Sequence, residues 1–252
     1  MNTKKTVHFS IDDVIEIFKD LTLHENIYKS IWENPILKTL KEQRELYGAV
    51  FSLYVYFENN TFSIDKATAK YQYEFEKNAD WLRFGFHAYC EQRDYCDENA
   101  ELLYVDYRNT IKELKRIVGE KAIDRVIRIH RFAAGRKAIG KLKGLLDGLL
   151  TADDERISYS LPVEACKQIN RYGSCKDAYG ILYIKTDFRL EWIEADVGPL
   201  TDRLFLSSER SHFEIFSHEW CWLKPEIRNR LTILCNEISE NEGYGFEFYS
   251  DY

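Results

Sequence analysis

The sequence predicts an α/β fold, specifically a single-domain distorted (β/α) barrel of seven or eight mostly parallel strands over residues 1–252. Strand-like and helix-like segments alternate from end to end, which is typical of parallel strands joined by helical crossovers. The chain has 252 residues, enough for a complete barrel. An open doubly wound sheet is the alternative, but neither a GxGxxG motif nor a P-loop motif occurs.

A pair of carboxylates marks the end of the first predicted strand. Alternating apolar and polar residues predict a strand from Val7 to Ile11. Apolar residues at helical spacing begin at Val14. Asp12 and Asp13 therefore lie where a strand passes into a helix, which is the edge of an α/β fold where ligands bind.

The following segments continue the alternation. A helix is expected to begin at Pro35 and to end at Gly48, which have the residue types favoured at those positions. The strand over 49–57 is almost entirely apolar, so we expect it to be buried on both faces. The later elements are predicted as helix 65–77, strand 81–89, helix 98–118, a helical turn and then strand 126–132, helix 135–142, strand 144–151, helix 163–170, strand 179–185, strand 213–216, helix 225–239 and strand 245–249.

The paired carboxylates have two interpretations. Adjacent carboxylates raise each other's pKa unless a positive group lies between them, and a divalent cation would supply that charge. Alternatively, Asp13 caps the following helix and Glu16 completes a capping box. The dipeptide alone favours the cap, so the decision rests on residues elsewhere in the chain.

Composition narrows the class of partner. The net charge of −7 argues against nucleic acid as the main partner. No apolar run approaches the length of a membrane span, and no signal peptide is visible, so we expect a cytoplasmic protein. Aromatic residues make up 15% of the chain, and some of them could line a sugar-binding cleft, although most should be core.

Chemistry-bearing side chains also stand at the ends of other predicted strands. In a barrel these ends converge on one face. A single histidine at such a position is more often structural than a ligand, so the combined pattern carries more weight than any member. The residues that could act with Asp12 and Asp13 are His87, Glu91, Asp94, His130, Arg131 and His218.

The order of these residues resembles the polysaccharide deacetylases that carry a NodB-homology domain. The family's first motif, Thr-Phe-Asp-Asp, is similar to residues 10–13, and its last motif, a histidine after a late strand, is similar to residues 216–218. Two looser matches lie between them, at 87–91 and at 131–135. The sequence is most similar to divergent cytoplasmic members associated with bacterial surface-polysaccharide genes.

This resemblance implies a metal-dependent hydrolase that removes acetyl groups from an acetylated sugar or polysaccharide precursor. By the family pattern Asp12 would be the general base, His218 the general acid, and Arg131 would orient Asp12. A water activated by the metal would be the nucleophile. Zinc is the first expectation for the metal, with manganese, cobalt or iron as alternatives. The implied metal ligands are Asp13, His87 and Glu91.

Departures from the family pattern keep other functions open. Glu91 stands where the second histidine is expected, Asp94 is another choice for that ligand, and Ala88 replaces a hydroxyl residue. One histidine with two carboxylates is a harder ligand set than two histidines with one carboxylate. The first alternative is a metal-free barrel that binds carbohydrate or a protein partner. The second is another metal-dependent hydrolase, acting on a non-sugar amide. Asp187 is assigned either to the site or to a surface ion pair.

Overall fold

The computed structural model describes residues 4–96, 99–154, 159–193 and 210–249. The α-helices in these ranges are α1 (Glu16–Leu23), α2 (Pro35–Tyr47), α3 (Gln72–Lys77), α4 (Ala100–Val118), α5 (Arg136–Gly140), α6 (Val163–Tyr172) and α7 (Pro225–Glu240). The strands are β1 (Lys5–Val14), β2 (Phe51–Tyr56), β3 (Leu82–Ala88), β4 (Val126–Ile127), β5 (Gly148–Leu150), β6 (Ser174–Lys176), β7 (Leu182–Ile184), β8 (Phe188–Arg189), β9 (His212–His218) and β10 (Tyr244–Phe246).

The strands form two sheets in which parallel pairing predominates. The first has the order β3-β2-β1-β9-β8, with β10 also paired to β1, and all of its pairs are parallel. The second has the order β4-β5-β7-β6, and only β6 runs antiparallel to its neighbour. The predicted α/β class with mostly parallel strands is therefore confirmed.

The two sheets curve around a shared interior. A parallel bridge between Phe84 and Ile123 places β4 beside β3, at the edge of the first sheet. From the turn after β4, Arg128 reaches across to Ser10 on β1 and to Glu214 on β9. Elements of both sheets thus meet at one side chain, as in a barrel, although the described residues show no continuous hydrogen-bonded ring.

Several predicted elements have the expected positions. Helix α2 begins at Pro35, and Gly48 ends it with a φ of 81°, a conformation that favours glycine. Every residue of β2 is buried, as its apolar sequence predicted. Residue 98, the first of the helix predicted over 98–118, lies outside the described ranges.

The strand predicted over 126–132 is wrong in its second half. Only Val126 and Ile127 are in a strand, and the chain then turns through a 3₁₀ helix over His130–Phe132. Arg131 and Phe132 have φ values of 58° and 52°, which end the extended conformation. The alternation of apolar and basic residues was thus a misleading strand signal. The predicted helix over 65–77 is likewise shorter, since only Gln72–Lys77 is α-helical.

The capping interpretation of Asp13 is also wrong. Helix α1 begins at Glu16, and its N-cap residue, Ile15, makes no side-chain cap. The carboxylate of Glu219 instead accepts hydrogen bonds from the backbone N–H groups of Ile15, Glu16 and Ile17, at 2.8 to 2.9 Å. A buried carboxylate from a distant part of the chain therefore satisfies the helix N-terminus, and Asp13 is available for another role.

Among the described residues, no helix is both long and apolar enough to cross a membrane.

Candidate active site

Strand β1 directs its two consecutive carboxylates to different partners. Its pairing with β2 is irregular between Ile11 and Val14, and Asp13 has a φ of 62°. A bulge with a left-handed residue re-aims a side chain relative to a regular pleat, and aspartate tolerates this conformation better than most residues. Asp12 consequently meets an arginine in the interior, whereas Asp13 meets two histidines.

Asp13 forms a compact group with His87, near the end of β3, and His130, after β4. Oδ1 of Asp13 lies 3.3 Å from Nε2 of His87 and 3.6 Å from Nδ1 of His130. The two imidazole nitrogens are 3.2 Å apart. One ligand atom from each residue lies within 4.8 Å of the other two, a spacing at which a single metal ion can be held.

The protonation of this group suits a cation. Nδ1 of His87 is 2.6 Å from the carbonyl oxygen of Arg128, so Nδ1 donates there and Nε2 is the ring nitrogen that faces Asp13. Burial raises the pKa of Asp13, but the contacts with His130 and His87 lower that pKa by more, to well below its usual range. The carboxylate of Asp13 is therefore ionised, as a cation ligand must be.

The donor set fits a divalent transition metal. Oδ1 of Asp13 is buried and receives no hydrogen bond from any described residue, so a cation would satisfy an otherwise orphaned oxygen. Two histidines and one carboxylate form a common ligand set of catalytic zinc sites, and they also suit iron or cobalt. The hydroxyl of Tyr56 lies 2.5 Å from Nδ1 of His130, so a phenol borders the same atoms.

Asp12 is held by Arg128 in the barrel interior. Nη1 of Arg128 donates to Oδ1 of Asp12 at 2.9 Å and to Oγ of Ser10 at 2.7 Å. Nη2 donates to Glu214 at 2.9 Å and to Thr186 at 3.1 Å. The guanidinium group is fully buried, so this fork fixes the position of Asp12 without competition from solvent.

A chain of buried polar groups extends from this ion pair. Glu214, which also accepts from Ser10, lies 2.5 Å from Nδ1 of His8. Nε2 of His8 is 2.9 Å from Oγ of Ser52, and Ser52 donates to Asp124. Each of these side chains makes at least one hydrogen bond, as a low-dielectric interior requires, and Nε of Arg128 is the atom of the network that has no partner among the described residues.

His218 lies beside Asp12 at the ends of β1 and β9, where the two residues are directly paired in the strand register. Its Nδ1 is 3.0 Å from Oε1 of Glu191, which also accepts from the backbone N–H of His218. Burial lowers the pKa of His218, but Glu191 and the nearby Asp12 and Asp13 raise it by more. His218 is therefore suited to carry a proton near neutral pH.

The structure brings together most of the residues selected from the sequence, but not all. Asp12, Asp13, His87 and His218 all lie at this end of the strands, whereas Glu91 and Asp94 are exposed and are outside the Asp13–His87–His130 group. His130, rather than Glu91, lies together with Asp13 and His87. The sequence pattern selected His130 as a candidate because it stands near the end of a predicted strand, but the pattern gave it no specific role.

A different arginine occupies the place predicted for Arg131. Arg131 is exposed, whereas Arg128 makes the contact with Asp12. The sequence reasoning also missed Glu191 and Tyr56, since neither stands in a recognisable motif. Asp187 pairs with Arg210 and accepts from the backbone N–H of Glu214, and its side chain is buried, so it belongs neither to the metal group nor to a surface ion pair.

A cavity of about 430 Å³ opens onto the metal group. Asp13, Tyr56, His130, Trp220 and Leu223 are among its lining residues. Its size is in the usual range for small-molecule sites. A larger cavity of about 800 Å³ is lined in part by Arg125, which precedes β4, and by none of the candidate site residues.

Comparisons with known proteins identify the fold. No sequence profile of a known protein family matches the chain, and no curated protein sequence matches it. Among solved structures, a candidate polysaccharide deacetylase from Mycobacterium smegmatis aligns with a TM-score of 0.62 and 11% identity, over 100% of this chain and 89% of that one. A family 4 acetyl xylan esterase from Clostridium thermocellum, in complex with a cobalt ion, aligns with a TM-score of 0.56 and 10% identity, over 98% and 89%.

The same fold occurs in an enzyme with different chemistry. A 4-α-glucanotransferase from Thermococcus litoralis aligns with a TM-score of 0.58 and 14% identity, over 99% of this chain but only 40% of its own length. Identities this low establish the fold and leave the activity to the site itself. The chain has the fold of the polysaccharide deacetylases, which confirms the sequence resemblance at the level of structure.

Proposed function

We propose that this protein is a metal-dependent hydrolase that removes acetyl groups from an acetylated carbohydrate. The observation that carries this proposal is the group formed by Asp13, His87 and His130 beside the Asp12–Arg128 ion pair and His218. A cation ligand set, a fixed carboxylate and a protonatable imidazole are the parts that hydrolysis of an acetamide or acetyl ester needs. The deacetylase fold supports the same reaction.

The metal would be held by Asp13, His87 and His130, with the backbone carbonyl of Arg128 orienting His87. When bound, a zinc-like ion supplies Lewis acidity, which polarises an acetyl carbonyl and brings the pKa of a water molecule to about 7. Zinc is our first choice, and cobalt, iron and manganese remain alternatives.

Asp12 is the general base in this proposal. The hydrogen bond from Arg128 fixes the position of its carboxylate. Asp12 also precedes Asp13 directly in the chain, so it is next to one of the three proposed metal ligands. It takes the proton of the attacking water. A correctly placed base contributes about 10² to 10⁴ in rate.

His218 is the general acid, and Glu191 positions it. Because Nδ1 is engaged with Glu191, the proton for the departing amine or alcohol comes from Nε2. The raised pKa of His218 keeps this proton bound near neutral pH. The acid and the base thus lie on neighbouring strands, directly paired in register.

The decisive experiment compares metal content with turnover. The purified protein, Asp12→Asn and Asp13→Asn are dialysed against zinc, cobalt and manganese, and bound metal is measured by mass spectrometry. Acetate release is then followed with acetylated mono- and oligosaccharides. We expect about one metal per chain in the parent and in Asp12→Asn, its loss in Asp13→Asn, and turnover in the parent alone. Metal without acetate release from any of these sugars would refute the deacetylase proposal.

A metal-free binding protein is the second candidate, and one contact favours it. The Tyr56 hydroxyl is within hydrogen-bonding distance of Nδ1 of His130, so this nitrogen has a partner even when no cation is bound. In that case no metal is retained after dialysis, and saccharide binding occurs without hydrolysis.

A further inference from the structure

The cavity of about 800 Å³ lies at the opposite end of the second sheet from the metal group. Its lining residues include Arg125, Asp147 and Leu182, which are the first residues of the parallel strands β4, β5 and β7 or directly precede them. His130, in contrast, lies beyond the last residue of β4. A ligand in this cavity would therefore occupy a site separate from the proposed active site.

Positive charge is concentrated in this cavity, although the chain has a net charge of −7. Three cations and one acid are among its lining residues, and they are Arg125, Lys143, Lys176 and Asp147. A neighbouring cavity shares Arg125 and Gly144 with it. That second cavity adds three cations and one acid, which are Arg108, Lys112, Lys115 and Glu120. An anion that approaches this face therefore meets an attractive field that the net charge of the chain does not reveal.

The arginine of the cavity is held in place, and the two lysines are not neutralised. Nε and Nη2 of Arg125 donate to the two carboxylate oxygens of Asp147, each at 3.0 Å. Nη2 also donates to the backbone carbonyl of Gly144 at 3.2 Å. Lys143 and Lys176 form no ion pair with any residue that the structure describes. A preoriented guanidinium group beside two uncompensated ammonium groups suits the oxygens of a phosphate.

An aromatic ring and an open stretch of backbone complete the wall of the cavity. Tyr179 lies in the hairpin between β6 and β7 and is 38% exposed. Asp177 holds this hairpin, because its Oδ1 accepts from the backbone N–H groups of Tyr179 and Ile181 at 2.8 and 3.1 Å. Gly144 and Gly180 have φ values of 78° and 84°, and a Cβ atom on either would meet no other atom within 4 Å. A ligand can therefore approach the backbone closely at both glycines.

We propose that this cavity binds a nucleoside diphosphate, with the base against Tyr179 and the phosphates against Lys143, Lys176 and Arg125. The volume of about 800 Å³ is in the range of small-molecule sites. Three cations and one acid leave a formal charge of +2 on the lining, opposite to that of a diphosphate. Stacking on an aromatic ring stabilises a bound base by about 1–3 kcal/mol. The inference is independent of the proposed hydrolase, because no residue of the metal group takes part.

Isothermal titration calorimetry at low ionic strength tests this site with ADP, UDP and pyrophosphate. The variants are Lys143→Glu, Lys176→Glu and Tyr179→Ala. The matched controls are Lys38→Glu and Tyr73→Ala, which change exposed residues outside the cavity. We expect either lysine variant to raise the Kd of the preferred nucleoside diphosphate by at least about ten-fold. Tyr179→Ala should raise that Kd by about five- to ten-fold and change the Kd of pyrophosphate by less than about two-fold.

Several outcomes would overturn the proposal. The first is that the parent binds neither ADP nor UDP. The second is that Lys38→Glu weakens binding as much as Lys143→Glu does, because binding would then reflect the overall field of the protein. The third is that binding is lost in His130→Ala and retained in Lys143→Glu, which would place the phosphates at the metal group. If Tyr179→Ala weakens pyrophosphate and nucleoside diphosphates equally, the site does not recognise the base and the proposal is refuted.

Discussion

Arg128 Nη1 and Asp12 Oδ1 form an ion pair of 2.9 Å between two residues that are almost fully buried and 116 positions apart in the chain. The pair joins the turn after β4 to the end of β1, and so links the two sheets beneath the site. Removing the charge of Arg128 would leave the carboxylates of Asp12 and Glu214 without their buried counter-charge, whereas removing that of Asp12 would leave Arg128 still paired with Glu214.

The role of this arginine can be separated from that of Arg131. We expect Arg128→Lys to lower kcat/KM by about 100-fold, because a lysine cannot make the fork that holds Asp12. Arg131→Lys should change kcat/KM by less than two-fold, since Arg131 is exposed. Steady-state kinetics of acetate release provide the comparison. The reverse pattern would restore the original assignment of Arg131.

Metal binding should depend on His130 rather than on Glu91. His130→Ala removes one of the three clustered ligands, so we expect metal affinity to fall by at least about 100-fold. Glu91→Gln should leave metal stoichiometry unchanged. Titration of zinc against a competing chelator measures both affinities. Loss of metal in Glu91→Gln together with its retention in His130→Ala would show that the third ligand is Glu91.

The alkaline limit of activity should move when Glu191 is neutralised. Hydrogen bonding to Glu191 raises the pKa of His218 above its ordinary value, so the protonated acid persists to higher pH. In Glu191→Gln this support is weakened, the pKa falls, and the decline of kcat/KM with rising pH begins at lower pH. The pH profile of the exposed control Glu240→Gln should match that of the parent. An unshifted alkaline limb in Glu191→Gln would exclude His218 as the titrating acid.

The buried polar chain should contribute to stability. Glu214 pairs with both Arg128 and His8, and all three are buried. We expect Glu214→Gln to lower the free energy of unfolding by about 3–5 kcal/mol. The control Glu45→Gln breaks an exposed pair with Lys41 and should cost less than about 1 kcal/mol. Equal losses in urea denaturation would show that the buried chain is not a special source of stability.

The sequence predicted the fold class and part of the site, and particular residues show why. The apolar strand β2 and the helix bounded by Pro35 and Gly48 follow local rules that need no tertiary information. Asp13 and His87 could be chosen because the ends of parallel strands converge. These features are determined within a few residues of sequence.

The missed residues depend on contacts between distant segments. Glu219 caps α1 from the far end of the chain, which removed the local argument for Asp13 as a cap. Arg128, which was missed, and His130, whose role was left open, lie in a short turn that the periodicity predicted as a strand. Two residues with positive φ, Arg131 and Phe132, set the geometry of this turn. The motif spacing predicted Glu91 or Asp94 as the third ligand, because a sequence motif describes residues that are close along the chain, whereas the ligands of a metal ion are close in space.

The three proposed metal ligands come from both sheets, so a bound ion would also affect the stability of the fold. Asp13 and His87 belong to strands of the first sheet, and His130 follows the first strand of the second sheet. A metal ion bound by all three residues would therefore link the two sheets where β3 lies beside β4, next to the bridge between Phe84 and Ile123. The same ion would then serve catalysis and stabilise the contact between the two sheets, and its removal would destabilise the fold first between β3 and β4.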